Sequence, residues 1–151
     1  MQNYDEIIPN IYVGNRHSLD HSHNFSLIIN CTQSVPFQSS MSEMIRISVQ
    51  DDPSNSNELF KQLYEGNILE KIYNHEKSGS KVLINCSQGS QRSCAVCACL
   101  LVQYKNYTPM KAVNFIKERR PLAFNGSINF MSVIKKFNTK KYKLSSLCTV
   151  N

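Results

Sequence analysis

Cys86, Gly89, Arg92 and Ser93 stand close together in the chain, and side chains of these types can displace a phosphate ester. A thiolate attacks phosphorus, a guanidinium fork holds two of its oxygens, and a hydroxyl steadies the sulfur. They lie in the stretch Val82-Leu83-Ile84-Asn85-Cys86-Ser87-Gln88-Gly89-Ser90-Gln91-Arg92-Ser93, which reads as an apolar strand, a tight loop and the start of a helix. A loop of this kind turns successive backbone N–H groups inward, and the helix aims its positive end at the same point. Gly89 falls mid-loop, where the backbone turns sharply and a ligand must come close. Ser87, Gln88, Gly89, Ser90, Gln91 and Arg92 are therefore the candidate phosphate-binding residues. The same field favours the thiolate of Cys86, and Ser93 can hydrogen-bond the sulfur as it departs. Isolated cysteines are usually structural. Here strand, Cys, Gly, Arg, hydroxyl and helix arrive in register, and chemistry is the better reading.

The elements that must hold this loop can be traced in the surrounding sequence. Cys94 to Val102 is apolar on all sides, as a central buried helix would be. Cys94, Cys97 and Cys99 then pack the core, and zinc is not expected. Asn10–Asn15 looks like a short strand closed by Gly14, and Leu27-Ile28-Ile29-Asn30-Cys31 looks like a buried strand. Cys31, at the end of that strand, is a candidate resolving thiol for an oxidised Cys86. Met44 to Val49 alternates as a half-buried strand and runs into the loop Asp51-Asp52-Pro53-Ser54-Asn55. From Asn57 to Tyr73 the apolar residues keep a helical spacing, predicting one helix. Thr108-Pro109 caps a helix over Met110–Arg119, which Pro121 ends. Ser127–Phe137 forms a last helix, and His17, His21 and His23 have the polar flanks of a solvated loop. Strands and helices mixed in this way predict an α/β layered domain.

With 151 residues, 41% hydrophobic and 19% charged, the chain is sized for one globular domain. The catalytic domain is expected over residues 1–138, followed by a basic tail at 139–151. No run of about 18 apolar residues calls for a membrane span. The N-terminal residues lack the pattern of a signal peptide, and position 2 is not the Gly that myristoylation requires. Six cysteines without a secretory signal read as reduced thiols in the cytoplasm or nucleus. The net charge of +6 suits acidic partners in general, and the tail could touch acidic surfaces. Neither specific nucleic-acid binding nor membrane contact is expected. Cys148, fourth from the end after several lysines, resembles a prenylation box, but Thr149 and Asn151 argue against it.

Taken with its flanks, the Cys86–Ser93 segment resembles the signature of the dual-specificity phosphatases, a Cys followed by five residues, then Arg and Ser or Thr. Ile8–Asn15 is similar to that family's opening strand and Ile28–Thr32 to its second. Ile47-Ser48-Val49-Gln50-Asp51 is similar to the segment presenting its general acid, and Arg119-Arg120-Pro121 to a turn after its penultimate helix. The resemblance implies a mixed, mostly parallel five-stranded sheet flanked by helices. It also implies a shallow site, no metal or other cofactor, and Cys86 as nucleophile with Arg92 as phosphate clamp. The family's pattern places the acid at Asp51, with Asp52 beside it as the alternative. Asn85 stands where the family usually has His, and Gln88 and Gln91 replace small residues.

The function so implied is hydrolysis of phosphotyrosine and phosphoserine or phosphothreonine in phosphoprotein substrates, through a phosphocysteine. Two alternatives stay open. One is a phosphatase for RNA or phosphoinositides, although lipid-directed relatives tend to carry Lys in a loop that is uncharged here before Arg92. The other is a phosphoprotein-binding module without turnover, which Asn85 keeps in view and the presence of Cys86 opposes.

Overall fold

The computed structural model describes residues 2–138. The basic tail and Cys148 lie outside the described residues. Five strands form one sheet: β1 (Tyr4–Ile8), β2 (Ile11–Gly14), β3 (Leu27–Asn30), β4 (Glu43–Arg46) and β5 (Val82–Asn85). Their order across the sheet is β1-β2-β5-β3-β4. β1 pairs antiparallel with β2, and the other neighbours are parallel. This is the mixed, mostly parallel α/β sheet expected.

β3 and β5, the two most apolar strands, lie inside the sheet beside β2, because a strand covered on both faces is drawn from apolar residues; each ends in a single buried Asn. Every residue of β3 and β5 is buried. Alternation along β5 sends Val82 and Ile84 into the main core and Leu83 to the opposite face. The main core is closed by α1 (Ser56–Glu65), α2 (Ile68–Lys77), α3 (Arg92–Tyr104), α4 (Pro109–Arg119) and a helical segment at residues 131–138. α3 is buried continuously from Ser93 to Val102, as its all-round apolar composition demands. On the opposite face Leu19, Phe25, Ile28 and Leu83 form a smaller cluster with Tyr4 and Tyr12. Thr108 caps α4 as expected, its hydroxyl accepting from the Lys111 N–H.

Four details differ from the sequence reading. The single helix expected over Asn57–Tyr73 is two, broken at Gly66-Asn67, where Asn67 takes φ 49°. Leu59, Leu63, Leu69 and Ile72 all enter the same core, so the apolar spacing carries on across the break and hides it. β1 was not foreseen; it is an edge strand whose Tyr4-Asp5-Glu6 start is polar. β4 is shorter than the predicted strand, although Ile47 and Val49 are still buried beyond it. The histidine segment is 3-10 helical, Arg16–Asn24 with a kink at His21, and not a loop, although His17 and His23 are solvent-exposed as expected. Ser18, Leu19 and Ser22 are buried there, and the His21 ring meets Tyr4 edge-on at 5.5 Å.

β1 is tied to the far end of the domain by one side chain. Arg120 follows α4, is 1% exposed, and donates through Nη1 to Asp5 Oδ2 at 2.7 Å and to the Gln2 carbonyl at 3.2 Å. Its Nε and Nη2 reach the carbonyls of Gly89 and Gln88 at 2.8 and 3.3 Å. Removing the guanidinium strands a half-buried carboxylate and two loop carbonyls. Arg120→Met is therefore expected to lower the unfolding free energy by about 3–5 kcal/mol, measured by urea titration. A loss of only about 0–1 kcal/mol, as for a surface pair, would remove Arg120 from this role.

Candidate active site

The parallel strands end level with one another. Gly14, Asn30 and Asn85 are in register, as are Asn30 and Arg46. The residues that follow these ends therefore gather at one edge of the sheet, where open α/β sheets bind ligands. Arg16 comes from beyond β2, Cys31 from beyond β3, Asp51 from beyond β4 and Cys86 from β5 in the centre.

The loop from Cys86 to Arg92 is held from outside by its carbonyls. The Ser87 carbonyl accepts from the Arg16 N–H at 3.0 Å, and those of Gln88 and Gly89 accept from Arg120. The Cys94 thiol also reaches the Gly89 carbonyl, at 3.4 Å. The Ser90 and Gln91 carbonyls accept from the N–H groups of Phe124 and Ala95, both at 2.8 Å. In a trans peptide the carbonyl and the next N–H point in opposite directions. Five carbonyls turned outward thus turn the N–H groups of Gln88 to Arg92 inward. Among the described residues, no backbone N–H from Ser87 to Gln91 donates to a protein acceptor. Gly89 is required at φ 67°, where a Cβ would sit 2.5 Å from Arg120 Nη2 and 2.7 Å from the Gly14 carbonyl.

Cys86 is 2% exposed, its N–H donates to the Gly14 carbonyl at 3.2 Å, and its Sγ lies 3.1 Å from Ser93 Oγ. Arg92 Nη1 donates to the Val49 carbonyl at 3.1 Å, joining the loop to the segment that carries Asp51. Arg92 Nε is buried and has no hydrogen-bond partner among the described residues. A buried charged donor left unpaired is costly unless an anion takes it. Ser90 and Gln91, expected to face phosphate through their backbone, use their side chains elsewhere. Ser90 Oγ donates to the Leu122 carbonyl at 2.9 Å and Gln91 Nε2 to that of Ser127 at 2.7 Å, so both brace the loop from behind.

The two candidate acids divide. Asp52 caps a short 3-10 turn, Pro53–Asn55, its Oδ1 accepting from the Ser54 N–H at 2.8 Å. The Ser54 hydroxyl and N–H hold the Asp52 carboxyl below its usual range, which suits a charged cap and not a proton donor. Asp51 is exposed, and its Oδ1 accepts from Asn129 Nδ2 at 2.9 Å. Asn85, before the nucleophile, is wholly buried with neither amide atom partnered among the described residues. Cys31 lies across from Cys86, its N–H bonded to the Asn85 carbonyl at 2.7 Å. Burial and the neighbouring Cys86 push its thiol well up. Cys94, Cys97 and Cys99 are fully buried, and burial pushes those thiols up too.

Arg120, Asp5 and Asn129 were not singled out from sequence. A buried Arg before Pro121 leaves no local signal that distinguishes it from the exposed Arg119. Asn129 gains its significance only from the partner opposite it.

Comparison with known proteins identifies the family of the chain and its fold. Residues 11–140 match the sequence profile described as the dual specificity phosphatase catalytic domain. Protein 123R of Invertebrate iridescent virus 6, named as a tyrosine phosphatase, is 31% identical over 79% of this chain and 81% of its own. Human dual specificity protein phosphatase 14 is 28% identical over 72% of this chain, which spans 52% of that protein. Arabidopsis thaliana phosphatidylglycerophosphate phosphatase PTPMT1 is 27% identical over 54% of this chain and 24% of its own. The crystal structure of human DUSP28 superposes with a TM-score of 0.80 at 21% identity, covering 93% of this chain and 95% of that one. A loop of inward N–H groups around a buried cysteine is thus joined to a family match over most of the chain, and the protein belongs to the dual specificity phosphatase catalytic-domain family as a cysteine-based phosphatase.

Proposed function

We propose that the protein hydrolyses phosphotyrosine and phosphoserine or phosphothreonine in other proteins through a phosphocysteine. The carrying observation is the outward anchoring of the carbonyls from Ser87 to Gln91 around Cys86, with the unpartnered Nε of Arg92 beside them. Donors fixed before substrate arrives stabilise the equatorial phosphoryl oxygens without reorganising as charge shifts. Cys86 thiolate attacks phosphorus, forming the S–P bond as the bond to the ester oxygen breaks, and Asp51 protonates that oxygen. Asp51 then takes a proton from water, which attacks phosphorus as the S–P bond breaks. The Ser93 hydroxyl, already at the sulfur, stabilises the departing thiolate. Arg92 binds the oxygens two-pronged throughout.

A protein substrate is favoured because the loop side chains are uncharged before Arg92 and two of them are turned away to brace it. They offer nothing to a polar headgroup beyond its phosphate. The relative named for phosphatidylglycerophosphate supports a second reading, a lipid phosphate monoester. The described cysteines are all free, which suits a reducing cytoplasmic or nuclear setting. Among the described residues no helix is long and apolar enough to cross a membrane.

Turnover of phosphotyrosine and phosphothreonine peptides, set against phosphatidylglycerophosphate vesicles, separates the two substrates; a large preference for the vesicles would overturn the protein reading. Cys86→Ser is expected to abolish turnover while still binding phosphate, because a serine hydroxyl is a far weaker nucleophile and the loop donors remain. Arg92→Lys should lose rate mainly in the chemical step, since a point charge cannot reproduce the fork; near-normal kinetics would count against the clamp. Asp51→Asn should cost about 10²–10⁴-fold on phenyl phosphate and little on an activated aryl phosphate, because only the poor leaving group needs the proton. Asp52→Asn should do much less to either, and the reverse pattern would move the acid by one residue.

A further inference from the structure

Asp51 is exposed at the rim of the site, and an exposed carboxyl turns freely unless something holds it. Asn129 does so. Its Nδ2 donates to Asp51 Oδ1 at 2.9 Å, and its own Oδ1 accepts from Ser127 Oγ at 2.7 Å. The hydroxyl therefore fixes which way the amide faces, leaving the NH₂ end for Asp51. The Asn129 backbone N–H donates to Gln91 Oε1 at 3.0 Å, while Gln91 Nε2 donates to the Ser127 carbonyl at 2.7 Å. Gln91 is only 5% exposed and immediately precedes Arg92. A continuous hydrogen-bonded path thus runs from the phosphate loop, through Gln91 and Asn129, to one oxygen of the carboxyl.

Resting on the reading of Asp51 as general acid, we propose that Asn129 is the residue that positions it, registered to the phosphate loop by Gln91. An amide N–H can only donate. In a neutral carboxyl the carbonyl oxygen is the better acceptor, so the oxygen facing Asn129 becomes the carbonyl and the proton resides on Oδ2. The acid is thereby held in one orientation with its proton on the oxygen that Asn129 does not occupy. The second tie, from Arg92 to the Val49 carbonyl, fixes the same segment two residues upstream. Asn129 touches neither the phosphate nor the leaving group and acts through Asp51.

The test uses Asn129→Ala and Asn129→Leu. The second keeps the bulk and the backbone bond to Gln91 but offers Asp51 neither a donor nor a second carboxyl to share its proton, so it remains informative if the alanine variant folds poorly. kcat/KM is measured for each on phenyl phosphate and on an activated aryl phosphate, alone and combined with Asp51→Asn. Losing one hydrogen bond to a charged or acidic group should lower kcat/KM on phenyl phosphate about tenfold, with little change on the activated ester. In the Asp51→Asn background neither variant should cost anything further. An equal loss on both esters, no loss on either, or a further loss on top of Asp51→Asn would overturn the proposal. If Asp51→Asn itself shows no dependence on the leaving group, the assignment of the acid has failed and the proposal falls with it.

Discussion

Everything at the site depends on which way the peptide units between Cys86 and Arg92 face. A chain left to itself has no reason to turn several consecutive N–H groups toward one point, because their dipoles repel and the groups lose water. The chief restraint is the guanidinium of Arg120, which takes the Gln88 and Gly89 carbonyls from behind. It is itself oriented by Asp5. The fork has a planar set of donors, so one side chain fixes two successive peptide planes. Gly89 completes the arrangement by allowing the positive φ and the close approach of Gly14. The anion site is thus built by protein contacts on the outside of the loop.

The central elements were legible because their sequence signals are local and agree with one another. Val82-Leu83-Ile84 is an unbroken apolar run, Gly89 supplies a turn, and Cys94 to Val102 is apolar on all sides. That order reads as strand, loop and buried helix without knowledge of the rest. Thr108-Pro109 was legible for the same reason. The break at Gly66-Asn67 was not, because helical spacing survives a break when both helices bury the same face. β1 was hidden by its polar start and by a stabilisation that comes from β2 and Arg120. Asp51 was picked out ahead of Asp52 by resemblance alone. The different surroundings of the two, one capping a turn and the other facing Asn129, carry no local sequence signal.

The acid segment and the phosphate loop are joined twice, at Arg92 with Val49 and at Gln91 with Asn129. Two loops tied together in this way behave as one surface. On the proposed reading of Asp51 as the acid, the entropy of bringing it to the phosphate loop is then spent when the chain folds and not at each turnover. The short connection between β4 and the Pro53–Asn55 turn, with Asp52 fixed as its cap, leaves Asp51 little freedom to swing away. The buried Ile47 and Val49 hold the approach to it in the core.

Arg120 and Asp5 are separated by 115 residues along the chain. Contacts so distant in sequence are entropically dear to close and tend to form late. The orientation of the peptide units beside Cys86 therefore rests on residues from opposite ends of the domain: Arg120, which follows α4, and Asp5 of the edge strand. A change at that edge strand, remote from Cys86 in sequence, reaches the loop through a single guanidinium.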